Sequence, residues 1–364
     1  MRFTCFIYSL GPGGAERVMS ILAGAWASHG HRVTIVTYDE GYPPFFSLSP
    51  EVTVQKLRLS GGSAARRVSN HFRRIPAFRR VIRETQPDIV ISFMDRTNVL
   101  VLMAAIGLGI PVIVSERTDP RRYSPSFPYN YLRRWLYRKA TAVIVQSKGQ
   151  ADWFKQMSDR VVVIPNPVRT YTDNQNSQAG RTFTAVGAGR LSFEKGFDLL
   201  LTAFAKVHKE FPEWSLVIYG DGPERLALER RIQELRLDKK AQLPGLTTSL
   251  TAHLRTAGCF VLSSRFEGFP NVLIEALACG CPVIATNCSD SIAEIVRHGW
   301  NGLLIPSEDT DSLANALNRI MKDAKLRRIF EANGPNSVGR FDIDSVAGLW
   351  EKLFQEIASE QFSN

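Results

Sequence analysis

Residues 259–285 read CFVLSSRFEGFPNVLIEALACGCPVIA. The apolar run Phe260-Val261-Leu262 reads as a buried strand that breaks at Ser263, Ser264 and Gly268, and Pro270 suits a first helical position. A helix then runs through Glu275 to about Cys279, stops at Gly280 and gives way to Pro282-Val283-Ile284-Ala285, a second buried strand. Strand, loop, helix and strand in that order predict a βαβ unit, hence a parallel sheet of the α/β class. Its loop and helix start are a favourable place for phosphate.

At 364 residues the chain is long enough for two domains, each able to bury its own core. Hydrophobic content of 44% with 22% charged residues is that of a soluble globular protein. The longest apolar candidate for a membrane span, residues 99–114, is interrupted by Gly107, Gly109 and Pro111 and reads as helix, turn and strand. The opening MRFTCFIYSLGPGG has no signal-peptide cleavage pattern, so a cytoplasmic location is expected. Five cysteines without a C-x-x-C pair argue against a disulfide framework and against a zinc site, and Cys279 and Cys281 read as buried thiols.

The net charge of +10 is unevenly spread. Residues 1–180 hold 24 Lys and Arg against 12 Asp and Glu, while residues 181–364 hold 21 against 23. The positive field therefore belongs to the first half, which calls for an anionic partner there. Residues 63–83 carry seven arginines, Arg66, Arg67, Arg73, Arg74, Arg79, Arg80 and Arg83, beside an apolar stripe of Val68, Phe72, Ile75, Phe78 and Ile82, with Pro76 marking a kink or restart. The Arg66–Arg83 region reads as a surface resting on anionic lipid at the inner face of the cytoplasmic membrane. Its second part also reads as a helix packed on a sheet. A second basic and aromatic segment, from Arg121 through Tyr131, Arg133, Arg134, Trp135, Tyr137, Arg138 and Lys139, suits a membrane interface or a polyprenyl diphosphate. No RNA-binding motif accompanies it, so no nucleic-acid partner is expected.

Strand and loop alternate along the rest of the chain. A first strand near residues 2–8 feeds Gly11-Pro12-Gly13-Gly14 and a helix, a loop suited to a close backbone approach to an anion or to tight packing alone. Met94-Asp95-Arg96-Thr97-Asn98 and Ser115-Glu116-Arg117-Thr118-Asp119 follow strands, at the edge where open α/β sheets place ligands. A first domain is expected over 1–167, a polar hinge over 168–181, and a second domain over 182–344. The second domain opens with a strand and Gly187-Ala188-Gly189-Arg190-Leu191-Ser192-Phe193-Glu194-Lys195-Gly196, two cations on a glycine-rich loop able to clasp a diphosphate. Asp309-Thr310-Asp311 and Asp342-Ile343-Asp344 precede helices and read as caps, so no metal site is expected.

Two glutamates eight residues apart, Glu267 and Glu275, close the pattern. EGFPNVLIE within SSRFEGFPNVLIEALACGCPVIA resembles the E-x7-E motif of retaining glycosyltransferases of family 4, which have the GT-B fold of two facing Rossmann-like domains with a central cleft. GGAER at 13–17, the G-R-x-x-x-x-K-G run ending at Gly196, Gly220-Asp221-Gly222-Pro223 and AQLPGL at 241–246 are similar to further motifs of that family. The resemblance implies that Arg190 and Lys195 hold the donor diphosphate and that Gly13 and Gly14 border it. It implies that Leu246 lies beside the base and that Phe269, Asn271 and Val272 face the phosphates from a helix start. It further implies that Glu275 binds the ribose and Glu267 the donor sugar, so that Glu267, Lys195 and Arg190 form the catalytic set, and that a last helix, 345–364, crosses back onto the first domain.

Many family members have a His near Arg117, and this chain resembles instead a subgroup with S-E-R there, found in bacterial exopolysaccharide and lipid-linked oligosaccharide assembly. The implied activity is a retaining, metal-independent transfer of a hexose or N-acetylhexosamine from a nucleotide-diphosphate sugar, expected to be UDP-linked, without a cofactor. The implied acceptor is a glycan on a lipid or polyprenyl diphosphate, met by a protein peripherally attached to the membrane. An epimerase or phosphorylase on the same architecture, or a non-catalytic sugar-nucleotide binding protein, are the alternatives.

Overall fold

Two parallel sheets, each wrapped by helices, organise the chain. The structure is a computed structural model that describes all residues except 40, 42, 61–63, 122–126, 170–179 and 363–364, and the backbone alone of 64–72, 127, 128 and 362. It separates into one unit of Met1–Pro167 with Ile343–Asn364 and a second of Val168–Asp342. Most of the polar hinge sequence lies outside the described residues.

In the first unit the chain runs β1 (Arg2–Phe6), α1 (Gly14–Ser28), β2 (Arg32–Thr37), β3 (Thr53–Lys56), α2 (Ala64–Thr85), β4 (Ile89–Phe93), α3 (Asp95–Ala105), β5 (Val112–Ser115), α4 (Phe127–Leu136), β6 (Ala142–Val145), α5 (Lys148–Phe154) and β7 (Val161–Val163). The seven strands lie in the order β3-β2-β1-β4-β5-β6-β7, all parallel. The strands read as near-continuous apolar runs because both faces are covered. The chain leaves β1 toward one edge and returns at β4 to build the other, so the switch point of the sheet lies between β1 and β4. Ligands of open α/β sheets bind outside the carboxyl ends of strands at such a point.

In the second unit β8 (Thr182–Ala188), α6 (Phe197–Val207), β9 (Ser215–Tyr219), α7 (Arg225–Glu234), β10 (Ala241–Gly245), α8 (Leu250–Thr256), β11 (Ala257–Leu262), α9 (Asn271–Ala278), β12 (Val283–Thr286), α10 (Asp290–Ile295), β13 (Gly302–Ile305), α11 (Thr310–Lys322) and α12 (Ala324–Ser337) follow in turn. The order is β10-β9-β8-β11-β12-β13, with the switch point between β8 and β11. The βαβ unit of residues 259–285 is therefore β11-α9-β12. Both units are Rossmann-like.

The last helix, α13 (Ile343–Phe362), belongs to the first unit. Its Trp350 and Phe354 meet the buried Trp26 of α1 at 5.5 Å between ring centroids, and Phe354 meets Phe3 at 4.5 Å. This is the return to the first domain that the resemblance implies.

β3, Thr53–Lys56, is a strand that the sequence reading does not anticipate, and two expectations are corrected. α2 runs as one helix across Pro76, where a kink or restart is expected. Pro76 cannot donate to the preceding turn, but burial of Phe78, Val81 and Ile82 and the bonds of Arg79 to the carbonyls of Ala104 and Ile106 hold its second half helical. The arginines of this region do not all face outward either. Arg74 donates twice to the Leu59 carbonyl and lies over the Tyr38 ring, while Arg73, Arg80 and Arg83 are exposed. The side chains of Arg66 and Arg67 lie outside the described residues.

Candidate active site

At the switch point of the second sheet, the loop after β8 and the loop after β11 are joined along their lengths. Lys195 Nζ donates to Glu267 Oε1 at 2.6 Å, and Ser264 Oγ donates to the same oxygen at 2.6 Å. Ser263 Oγ donates to the Lys195 carbonyl at 2.9 Å. Glu267 is 8% exposed and Lys195 half-buried, so this carboxylate is poorly hydrated and takes its hydrogen bonds from protein donors. The two residues stand 72 positions apart in sequence, and the strand order brings them together.

Arg265, which no sequence motif singles out, locks this frame. Its guanidinium lies over the Phe193 ring at 4.2 Å, donates to the Phe193 carbonyl at 2.8 Å, and forks onto Asp198 at 2.8 and 2.6 Å. Its backbone amide donates to the Glu194 carbonyl at 2.8 Å. Burial pushes the Asp198 carboxyl up, but the hydrogen bonds and charge of Arg265 outweigh it and hold the group below the usual carboxylate range. A planar fork matched to a carboxylate fits this role, and lysine cannot reproduce it.

Glycine sets two of the turns. Gly196 has φ +60°, and a Cβ there would lie 2.2 Å from the Ser263 carbonyl oxygen. At Gly220, φ +144°, a Cβ would lie 1.8 Å from the Gly189 carbonyl oxygen. The loops after β8 and β9 thus meet backbone against backbone.

The other residues singled out in the sequence take these positions. Arg190 is exposed on the β8 loop. Glu275 is 5% exposed on α9, its fifth residue. Leu246, just past β10, is 53% exposed. Phe269, Asn271 and Val272 are half-buried at the start of α9, and Phe269 packs edge-on against Phe341 at 5.9 Å. The helix begins at Asn271 with Pro270 as its cap residue. The Asn271 amide donates to the Phe269 carbonyl at 3.1 Å. Cys288, beside this group, has its thiol pushed up to about 12 by burial and by the Glu267 charge. Asp309 caps α11 by accepting from the Ser312 amide at 2.9 Å.

In the first unit, Gly13 is the cap residue of α1 and Gly14 its first residue. The Glu16 side chain folds back over Gly13, where it accepts from Ser9 Oγ at 3.3 Å, and burial pushes its carboxyl up. Beyond β5, Glu116, 1% exposed, lies 3.7 Å from the equally buried Arg133 and accepts from the Tyr137 hydroxyl. Asn98 Nδ2 donates to the Tyr137 hydroxyl at 3.0 Å and to the Ser115 carbonyl at 3.2 Å. Arg133 and Tyr137 therefore do not belong to an exposed basic and aromatic surface, as expected from the sequence. They form the inner face of α4 and the turn after it, whereas Tyr131, Arg134, Trp135, Arg138 and Lys139 are exposed. Burial pushes the Glu116 carboxyl up to about 7, with Arg133 opposing. Arg117 rests on the Phe93 ring at 3.9 Å and donates to the Asn166 amide oxygen.

Comparison with known proteins bears on the family and the fold. Residues 169–337 match the family described as glycosyl transferases group 1, and residues 13–167 match the glycosyl transferase 4-like domain. The chain is 28% identical over 360 residues, 98% of its own length and 99% of the relative's, to the Campylobacter jejuni GalNAc-alpha-(1->4)-GalNAc-alpha-(1->3)-diNAcBac-PP-undecaprenol alpha-1,4-N-acetyl-D-galactosaminyltransferase. Its fold is similar to that of sucrose-phosphate synthase from Thermosynechococcus elongatus, with a TM-score of 0.85, 20% identity and 99% of each chain covered. It is also similar to Anabaena Alr3699/HepE, solved in complex with UDP and glucose, with a TM-score of 0.78, 21% identity and all of each chain covered.

Proposed function

This chain belongs to the glycosyl transferases of group 1, with a first domain of the glycosyl transferase 4-like kind, and from that membership we propose a retaining, metal-independent transfer from a UDP-sugar to a glycan carried on a polyprenyl diphosphate. The observation that carries the reading is the Lys195–Glu267 pair at the switch point of the second sheet. A cation and a dry carboxylate side by side suit a sugar diphosphate, whose two halves need opposite partners.

In this reading Lys195 and the exposed Arg190 bind the diphosphate and offset the charge it gains as it leaves. Glu267 accepts from hydroxyls of the donor sugar and stabilises positive charge at the anomeric carbon. Glu275 accepts from the ribose diol, and Leu246 covers the base. The acceptor hydroxyl attacks the anomeric carbon on the face the diphosphate leaves. The sugar–phosphate C–O bond breaks with its electron pair going to the diphosphate, and a diphosphate oxygen takes the hydroxyl proton. Asp309 is occupied as a helix cap, which supports a reaction without metal at that D-x-D string.

The UDP donor is supported by the similar Anabaena structure, solved with UDP and glucose, and the lipid-linked acceptor by the Campylobacter relative, whose name specifies a glycan on PP-undecaprenol. Attachment to an anionic membrane surface is supported by the basic first half and by the exposed Arg73, Arg80, Arg83, Arg134 and Arg138. No helix of the described residues is long and apolar enough to cross a membrane.

The test is a screen of labelled nucleotide sugars for slow hydrolysis, with and without EDTA, followed by NMR of the anomer in the transfer product. Hydrolysis of a UDP-sugar that survives EDTA and an α-linked product from an α-linked donor are expected. An inverted product, or activity abolished by EDTA and restored by Mn2+, overturns the corresponding part.

A further inference from the structure

Between the loop that carries Arg190 and the loop that carries Leu246 stands a side chain with no role so far. Tyr219 is the last residue of β9, and in the parallel ladders it pairs with Ala188 of β8 and Gly245 of β10. Gly189-Arg190 and Leu246 follow those two partners directly. With neighbouring strands about 4.8 Å apart, the two flanking loops lie about 10 Å from one another across β9, a length comparable with that of a nucleoside from its phosphate to the far edge of its base.

The end of β9 is fixed from both sides. The Tyr219 carbonyl accepts from the Gly189 amide at 3.0 Å, and the Gly220 amide donates to the Gly245 carbonyl at 2.8 Å. Strand alternation puts Ile218 in the core with Phe197 and Leu200 of α6 and Tyr219 on the opposite face, which α8 and α9 cover. There the Tyr219 ring stacks on the His253 ring of α8, with 4.5 Å between centroids and 19° between planes. Both side chains are half-buried. Neither the Tyr219 hydroxyl nor the ring nitrogens of His253 have a hydrogen-bond partner among the described residues. Burial pushes the Tyr219 hydroxyl above its usual range, so it is protonated at neutral pH and available as a donor. A phenol held by a stacked neighbour loses little freedom on binding.

We propose that Tyr219 reads the base of the donor nucleotide, its hydroxyl donating to a carbonyl of uracil, and that His253 is a positioning residue that holds the phenol ring through the stack. Uracil presents two carbonyl oxygens on its ring, whereas adenine carries an amino group and no carbonyl. A donor built for a carbonyl is left unpaired against the wrong base, and that penalty separates UDP from ADP. The inference deepens the UDP-donor reading above, on which it rests, and concerns only the second unit.

The experiment is calorimetric titration of the full chain with UDP and with ADP, for the parent, Tyr219→Phe, His253→Ala and His253→Phe. Thermal unfolding of each variant reports on folding, and Tyr219→Phe removes one oxygen while keeping the ring. The Kd for UDP is expected to rise about 3- to 10-fold in Tyr219→Phe, from the loss of one neutral hydrogen bond. The Kd for ADP is expected to move less than about twofold, so the preference for UDP narrows by the same factor. His253→Ala is expected to narrow it likewise, and His253→Phe, which keeps an aromatic stack, to stay within about twofold of the parent. A UDP Kd in Tyr219→Phe that matches a parent preferring UDP overturns the proposal alone. An equal rise for UDP and ADP overturns it as well, since it marks a loss of structure rather than of base recognition, and His253→Phe behaving like His253→Ala overturns the positioning role. A parent that prefers ADP, or binds neither nucleotide, removes the UDP-donor reading and the proposal with it.

Discussion

Lys195 Nζ and Glu267 Oε1 lie 2.6 Å apart, so the cation assigned to the leaving group and the carboxylate assigned to the donor sugar are already partners before a donor arrives. Replacing Lys195 by Ala removes charge that matters most as the diphosphate departs. It is expected to lower kcat by about 100- to 1000-fold while donor KM rises by less than about 10-fold. Steady-state kinetics with the donor varied checks this, and a kcat within twofold of the parent removes Lys195 from the reaction.

Arg265 carries no substrate role here, yet its loss is expected to reach the site. Arg265→Ala frees Phe193 and Asp198 from the β11 loop and is expected to cost about 1–3 kcal/mol of stability, together with a fall in kcat as Lys195 loses its frame. Arg265→Lys is expected to recover little of either, because a single ammonium cannot fork onto Asp198. Denaturant unfolding and kinetics on the same samples decide it; full recovery by Lys assigns the effect to charge alone.

Glu116 predicts a pH dependence of stability. Its carboxyl is pushed by burial from 4.5 to about 7, so the folded chain holds this proton more tightly than the unfolded one. The stability this confers is complete below about 4.5 and is lost as pH rises through about 7. The midpoint of thermal unfolding is therefore expected to fall between about pH 5 and 8 more steeply in the parent than in Glu116→Gln. Parallel slopes for the two proteins would show that another group titrates.

Membrane binding is expected to follow exposure rather than position in the arginine run. Replacing the exposed Arg73, Arg80 and Arg83 by Gln is expected to weaken binding to phosphatidylglycerol vesicles by about 100-fold, from roughly 1 kcal/mol per charge near the surface. Arg79→Gln is expected to act on stability, since Arg79 holds the end of α3. Vesicle sedimentation at two salt concentrations measures the first effect. Binding by the parent that does not respond to salt discards the electrostatic account.

Most of the strands are legible in the sequence because buried parallel strands leave unbroken apolar runs, as in Ile89–Phe93 and Phe260–Leu262. β3 is not: Thr53–Lys56 has two half-buried residues between two exposed ones at a sheet edge, a weak signal in four residues. The motif glutamates and Lys195 stand out by their neighbours in sequence. Arg265 does not, because its partners Phe193, Asp198 and Glu308 are 43 to 72 residues away and no local pattern announces them. The inner face of α4 is readable in principle. Arg133, Leu136 and Tyr137 recur at helical spacing opposite Tyr131, Arg134, Trp135 and Arg138, but a charged residue on the inner stripe disguises it.

The backbone contacts at Gly196 and Gly220 bear on how such a protein could be redirected to a different donor. With a carbonyl oxygen about 2 Å from where any new β-carbon would sit, neither position has room to diversify, and library members mutated there should be lost to misfolding before selection begins. Randomisation is better spent on Leu246, whose side chain is open to solvent and leaves the loop frame untouched.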